Sequence, residues 1–148
     1  HDKKVLHHTK GGVAQLERKE EIIAERKKNA AFLAEKLKKF EEHLQLPKIR
    51  DGAEHVFMMF PMVVKSNKFS KKKIVNFLEE NNIETRDMVP LTNQPVYKEI
   101  FGAGLEDRYP VAKWINKNGF YIGCHNEMTQ HELEYVVSKF EEFFEKLN

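Results

Sequence analysis

Apolar residues recur every three to four positions between residues 16 and 46, which is the spacing of an amphipathic helix. Glu and Lys alternate on the opposite face, which suits pairing four residues apart in solvent. Pro47 cannot continue a helix and Gly52 favours a turn, so the pattern predicts one long helix from Leu16 to Leu46. The apolar positions are Leu16, Ile22, Ile23, Ala30, Leu33, Leu37, Phe40 and Leu44.

Three short segments predict strands of a buried sheet. HVFMMFPMVV at residues 55–64 is nearly all apolar and contains several valines and phenylalanines, as buried strands do. Pro61 removes one hydrogen-bond donor, which indicates a sheet edge or a bulge at that position. FYIGCH at residues 120–125 predicts a second strand, and IETR at residues 83–86 predicts a third, shorter one.

Each of the remaining helices has a recognisable first residue. The signals are a serine N-cap, two prolines at a first helical position and a threonine with glutamate three residues later, which is the capping-box pattern. They predict helices that begin at or just after Ser70, Pro95, Pro110 and Thr129. The last of these helices carries a wide apolar stripe as far as Phe144.

The order of these elements predicts a single α+β domain. We expect a small antiparallel or mixed sheet of about three strands, packed against helices and preceded by a long N-terminal helix. The length of 148 residues suits one domain with a core of its own. Residues 12–148 are expected to form this domain, and residues 1–11, HDKKVLHHTKG, are expected to be a flexible arm or a tag remnant.

Composition narrows the classes of partner. Lys and Arg number 25 and Asp and Glu number 23, and the basic runs are not interleaved with aromatic residues, so nucleic acid is not an expected partner. No apolar run approaches the roughly 20 residues that span a bilayer, so no membrane partner is expected either. The single cysteine, Cys124, excludes an internal disulfide and favours a reducing, cytoplasmic compartment.

No self-contained catalytic motif is present in the sequence. It contains no GxGxxG, no P-loop and no HExxH, so no catalytic residue is assigned. Cys124 and His125 are adjacent, but two neighbouring side chains do not complete a metal site, and no metal is expected. Cys124 is either a nucleophile that would need a nearby base or a small residue packed at the edge of the core.

The segment IETRDMVPLTNQPVY at residues 83–97 is a polar, proline-bounded loop of the kind that often binds a ligand. Arg86 enters it from a strand. Its guanidinium either grips a carboxylate or phosphate with two parallel hydrogen bonds or forms a surface salt bridge. Thr92, Asn93 and Gln94 offer hydroxyl and amide groups to a sugar or phosphate, or they are ordinary turn residues between two prolines.

The order of motifs resembles the small C-terminal domain of the DegT/DnrJ/StrS family of sugar aminotransferases, which have the aspartate-aminotransferase fold. GVAQLERKEEIIAERKKNAAFLAEKL is similar to the family's long helix, which begins at a QL pair and carries an arginine, here Arg26. HVFMMFPMVV is similar to its aromatic-rich strand, and NNIETR to its GI-x-T-R segment, with Asn in place of Gly. Pro90, Pro95 and Tyr97 match its P-x-x-x-x-P-x-Y loop. Many members carry a histidine in this loop, where this chain has LTN, and their closing element often reads L-P-x-H-P, where this chain has IGCHNE.

The resemblance implies a part of a dimeric, pyridoxal-phosphate-dependent enzyme that acts on nucleotide-linked sugars in polysaccharide or cell-surface sugar biosynthesis. Family members transfer an amino group to the sugar, and some relatives dehydrate it instead. The resemblance also implies a homo-oligomer and a substrate-flanking role for this domain. The residues expected to bind the nucleotide-sugar are Arg86, Thr92, Asn93, Gln94, Tyr97 and His125.

The large domain of the family, which holds the cofactor-binding lysine, has no counterpart in this sequence. Lys10 in HHTKGG is faintly similar to the family's lysine segment, but no surrounding phosphate cradle accompanies it. Pyridoxal phosphate is therefore not expected to bind this chain alone, and the chain is expected to be inactive in isolation. The alternative is a stand-alone module with the same fold that binds a nucleotide-sugar or another protein.

Overall fold

A computed structural model of the chain describes residues 12–13 and 16–147. The expected arm at residues 1–11, including Lys10, lies outside the described residues. The described part contains five α-helices and four strands. The helices are α1 (Lys19–Leu37), α2 (Lys71–Glu80), α3 (Pro95–Phe101), α4 (Pro110–Asn118) and α5 (Gln130–Glu145), and the strands are β1 (Leu44–Gln45), β2 (Met59–Val64), β3 (Thr85–Asp87) and β4 (Gly119–Gly123).

The first helix is shorter than its apolar spacing predicts. Helix α1 ends at Leu37, a 3-10 turn follows at Lys38–Phe40, and Leu44 pairs with Val64 of β2. The prediction of a helix as far as Leu46 was therefore wrong beyond Leu37. The helix does not continue here because the backbone of this part of the chain forms hydrogen bonds with β2 and with the residue that follows it, Lys65.

The four strands form one antiparallel sheet in the order β1–β2–β4–β3. The sheet has one strand more than the sequence predicted, because the two-residue β1 was read as helix. Strand β1 pairs only with Val63 and Val64, so one edge of β2 is open at Pro61, where a missing backbone donor is tolerated. The prediction of a sheet edge at Pro61 is confirmed in this sense.

Helices α1, α2 and α5 cover one face of the sheet and build the hydrophobic core. Alternate residues of the two central strands point into this layer and are fully buried. Each fully buried side chain of this size contributes about 1.5–3 kcal/mol relative to exposure. The largest are Phe60, Phe120, Phe140, Leu33, Leu37, Leu44, Met62, Ile74, Leu78 and Ile122.

The predicted helix starts are confirmed. The Ser70 hydroxyl accepts a hydrogen bond from the backbone N–H of Lys73 at 3.3 Å, as an N-cap does. Thr129 and Glu132 form a complete capping box, with the Thr129 N–H donating to the Glu132 carboxylate at 2.7 Å. Pro95 and Pro110 are the first residues of α3 and α4.

Among the described helices, none is both long and apolar enough to cross a bilayer.

Residues 88–118, called here the outer segment, lie between β3 and β4 and contain α3 and α4. Helix α4 packs against β2 and β4, where Ile115 lines a cavity together with Met59 and Tyr121 of the sheet. Within this segment only Leu105 is buried. The outer segment therefore has almost no core of its own, and it leaves much of its apolar surface open.

Candidate functional site

A groove of about 570 Å³ opens beside the end of the sheet where β3 begins and β4 ends. We call it the Arg86 groove. The edge strand β3 starts at Thr85, which pairs with Ile122, so the last residue of β4 extends past its neighbour. The first turns of α5 form the opposite wall. The polar and aromatic side chains that line the groove are Asn82, Glu84, Arg86, Tyr121, His125, Glu132 and Tyr135.

Arg86 lies on the exposed rim of this groove. Its Nε donates to Glu84 Oε1 at 2.8 Å, and Nη2 contacts the same oxygen. Both side chains are about two thirds exposed, so this ion pair contributes roughly 0–1 kcal/mol. The structure therefore shows the surface salt bridge that the sequence allowed, and the pair is weak enough for Arg86 to exchange Glu84 for another anion.

Thr85 positions the start of β3 through a hydrogen-bonded carboxylate. Its hydroxyl and its backbone N–H both donate to Glu79 Oε1, at 2.7 Å and 2.9 Å, and Thr85 is one of only two buried polar residues in the described part. These bonds hold the pKa of Glu79 below its usual range, the side-chain bond more strongly than the backbone one. They tie β3, and with it the backbone of Arg86, to the end of α2.

A Glu79→Gln substitution tests this tie through its pH dependence. The amide oxygen of glutamine still accepts both bonds but cannot carry the charge. Because the folded-state pKa of Glu79 is depressed, its contribution to stability is complete above the usual carboxyl pKa of 4.5 and is lost as the pH falls through the lower folded value. Urea unfolding between pH 7 and pH 3 should therefore show wild type more stable than the variant at neutral pH, with the difference shrinking in acid.

The control for this measurement is Glu80→Gln on the same helix. Glu80 makes no side-chain hydrogen bond among the residues that the structure describes. A Glu79→Gln difference that stayed constant over the whole pH range would contradict the assignment.

The six residues predicted to bind substrate fall into two groups. Arg86 and His125 both line the groove, and the His125 carbonyl accepts a hydrogen bond from Asn29 Nδ2 at 2.8 Å. The other four lie in the outer segment and do not line the Arg86 groove: Thr92 and Asn93 in a 3-10 turn, Gln94 immediately before α3, and Tyr97 stacked on Phe101.

Thr92 is the most unusual of these four residues. Its hydroxyl is enclosed and has no hydrogen-bond partner among the described residues. Buried hydroxyls are normally paired, so this oxygen is an exception within the described part.

Sequence reasoning missed the two tyrosines and two glutamates that complete the groove. Tyr121 lies directly opposite Arg86 in the antiparallel register, and the Tyr135 hydroxyl donates to the Asn81 carbonyl at 3.0 Å. The alternation in FYIGCH was the available signal for Tyr121. Because Phe120 and Ile122 face the core, the residue between them must face the other side of the sheet.

Cys124 is a core residue in this structure. Its side chain is fully buried, and burial raises the pKa of the thiol to about 11, against a smaller lowering by Arg26. The thiol is therefore neutral near pH 7, and its sulfur lies 3.7 Å from the Arg26 carbonyl. Of the two roles that the sequence left open, the structure favours packing over nucleophilic attack. Within the described ranges, no group of three or more His, Cys, Asp or Glu side chains could hold a metal ion.

The chain is similar in sequence and fold to several known proteins. The lipopolysaccharide biosynthesis protein RfbH of Salmonella typhimurium is 34% identical over 136 residues, which are 90% of this chain and 31% of that protein. The structure of an aminotransferase from Psychrobacter cryohalolentis matches with a TM-score of 0.78 at 20% identity, over 92% of this chain and 38% of that one.

A further structural match is the GDP-4-keto-6-deoxy-D-mannose-3-dehydratase of Escherichia coli with bound hydrated PLP. It has a TM-score of 0.70 at 23% identity, over 86% of this chain and 33% of that one. These likenesses confirm the small-domain fold that the motif order indicated. The chain spans about a third of the length of the curated relatives it matches. The sequence profile of the DegT/DnrJ/EryC1/StrS aminotransferase family matches residues 9–141, and this chain therefore belongs to that family.

Proposed function

We propose that this chain is the substrate-flanking, C-terminal lobe of a pyridoxal-phosphate-dependent enzyme that modifies nucleotide-linked sugars for a cell-surface polysaccharide. The names of its relatives, a lipopolysaccharide biosynthesis protein and a nucleotide-sugar dehydratase, support this substrate class. The second lobe, which carries the cofactor, would come from another part of the protein or from a separate chain. The enzyme would work in the cytoplasm, where a lone thiol such as Cys124 stays reduced.

The observation that carries this proposal is the uncovered apolar surface of the outer segment. Large hydrophobic side chains rarely cluster on the surface of a domain that works alone, and such clusters usually mark an interface. Eight of the fourteen exposed large hydrophobic residues in the described part belong to this segment: Val89, Leu91, Val96, Ile100, Phe101, Tyr109, Val111 and Trp114. A second lobe docked here would cover them. It would also bring its own groups towards Thr92, Asn93, Gln94 and Tyr97.

Pyridoxal phosphate does not fit the residues described here by themselves. The phosphate of the cofactor needs several donors and an excess of positive charge. In the Arg86 groove, one guanidinium is accompanied by the carboxylates of Glu84 and Glu132, and both would repel a phosphate. The cofactor site is therefore assigned to the second lobe, and this chain alone is expected to be inactive.

A stand-alone binding module is the second candidate function. It is favoured by the Arg86 groove, which brings a guanidinium, a histidine and two tyrosines around one opening. In that case the chain would bind a ring of the nucleotide-sugar against Tyr121, without any other lobe.

The test is reconstitution. The chain is mixed with the part of the Salmonella relative that it does not match, and complex formation is followed by size exclusion with light scattering. We expect a complex, and we expect turnover of a nucleotide-linked keto sugar with pyridoxal phosphate and glutamate only in the mixture. An aminated product identifies a transaminase, and loss of a hydroxyl identifies a dehydratase.

Two matched variants locate the docking surface. Ile100→Asp places a charge on the outer segment and should abolish the complex, because a carboxylate would be buried unpaired. Ile49→Asp changes another exposed isoleucine, which lies outside that segment, and should leave the complex intact. The isolated chain should self-associate through the same apolar surface, and Ile100→Asp should weaken that association. Turnover by the chain unaided would overturn the proposal, and tight nucleotide-sugar binding without any complex would favour the stand-alone module.

A further inference from the structure

Arg26 is a cation without a counterion in the described part of the chain. It lies near the middle of α1, one turn before the fully buried Ala30, and its side chain is partly buried. The Nε atom is inaccessible to solvent and has no hydrogen-bond partner among the described residues. A buried guanidinium N–H that lacks an acceptor costs free energy, so no contact within the described part explains why an arginine stands here.

The other basic side chains of α1 all have acidic partners, which makes Arg26 the exception. Lys19, Lys27, Lys28 and Lys36 each lie within 4 Å of a glutamate oxygen. The positions one turn away from Arg26, which are the ones that could supply an acid along the helix, are Ile22, Ile23, Asn29 and Ala30. Helix α1 thus has no acidic residue one turn away from Arg26.

The Cys124 thiol, which lies close to Arg26, does not supply a negative charge either. It is neutral near pH 7 because burial raises its pKa to about 11. Asn29 uses its amide to hold the His125 carbonyl at 2.8 Å. The site thus combines one positive charge, one enclosed donor and a fixed backbone at the end of β4.

We propose that Arg26 is the anchor for a single carboxylate, which an acidic side chain of the docking lobe brings to the end of β4 next to Cys124. The source of the carboxylate rests on the proposed function; the site itself does not. A guanidinium offers a carboxylate two parallel N–H bonds, and because the Nε atom is enclosed, these come from the two Nη groups at the end of the side chain. One isolated positive charge matches a singly charged carboxylate better than a phosphate, which would need further cations.

The isolated chain tests the site with acetate as the probe. In ¹H–¹⁵N spectra, the Arg26 Nε–Hε signal and the Cys124 amide signal should shift saturably with acetate and not with chloride at the same ionic strength. Arg26→Met should abolish the acetate response at Cys124, whereas Lys27→Met, on the neighbouring residue, should leave it unchanged. Equal responses to acetate and chloride, or no response at all, would overturn the anchor.

The melting temperature gives a second, independent test of the Arg26 anchor. Removing an uncompensated, partly buried charge should leave the Tm of Arg26→Met equal to or above that of wild type. A Tm well below that of Lys27→Met would mean that Arg26 is an internal structural contact, and it would overturn the proposal.

Reconstitution separates this inference from the proposed function. Arg26→Met should raise the Kd of the two-lobe complex by about thirtyfold or more, because the partner's carboxylate is left buried and unpaired, and Lys27→Met should not. A complex that forms equally well with Arg26→Met overturns the anchor and leaves the proposed function standing. Failure of the wild-type chain to form any complex overturns the proposed function, and the acetate titration still decides whether the carboxylate site exists.

Discussion

Truncating Phe140 to alanine is expected to lower the free energy of unfolding by about 3–5 kcal/mol, which would leave a domain of this size barely folded. Phe140 is fully buried on α5, the helix that contacts both α1 and α2 across the core. Its removal opens a cavity among side chains held in place by the sheet, so the surroundings can collapse only partly. Urea unfolding followed by circular dichroism at constant m value measures the loss.

The matched control is Phe101→Ala. Phe101 is the same residue type, also helical, but 53% exposed on the outer segment, so its truncation should cost well under the Phe140 value. If both substitutions destabilised the isolated chain equally, the outer segment would have to be packed into a core, and the docking surface proposed above would not exist.

Replacing Gly119 with alanine is expected to destabilise the chain by about 1–3 kcal/mol through overpacking. The backbone at Gly119 is ordinary, with φ at −89°, so the cost does not come from the glycine conformation. The cost comes from a steric clash, because an added Cβ would lie 2.6 Å from the Ile115 carbonyl oxygen and 3.2 Å from the Met88 sulfur. The carbonyl belongs to α4 and cannot move without shifting the outer segment against β4.

Gly123→Ala at the other end of β4 is the control for this substitution. An added Cβ there meets nothing closer than a His125 ring carbon at 3.9 Å, so no loss of stability is expected. Urea unfolding of both variants gives the comparison. Equal stability of the two variants would mean that α4 does not pack closely on the sheet at Gly119.

The parts of the fold that the sequence predicted correctly are those governed by local chemistry. Ser70 and Thr129 begin helices because their hydroxyls accept backbone N–H groups within the same turn, and this can be read from a few neighbouring residues. The end of α1 could not be read in this way. Leu44 has helical spacing from Phe40, but it pairs with Val64, twenty positions away in sequence. Long-range strand pairing overrides local periodicity, and a single sequence does not contain that information.

The candidate site likewise combines features that local sequence patterns predicted with features that depend on the arrangement of the strands. Arg86 and His125 come together because β3 and β4 are neighbours in the sheet, and the sequence analysis gave no strand order. Thr92 and Tyr97 are close to Arg86 in sequence, but they lie beyond the groove because the chain leaves the sheet after Asp87. Arg26 could have been noticed in the sequence only as a helical cation without an acid one turn away. Its enclosure by the sheet end required the structure.

The outer segment leaves the sheet at Asp87 and returns at Gly119, on two strands that are direct neighbours. Its two ends are fastened there, because Lys71 bonds both the Asp87 carboxylate at 2.8 Å and the Asn116 carbonyl at 3.2 Å. A segment of this kind can change in length and sequence from one family member to the next while the strands on either side keep their pairing. Such changes can alter what this surface recognises and leave the scaffold as it is.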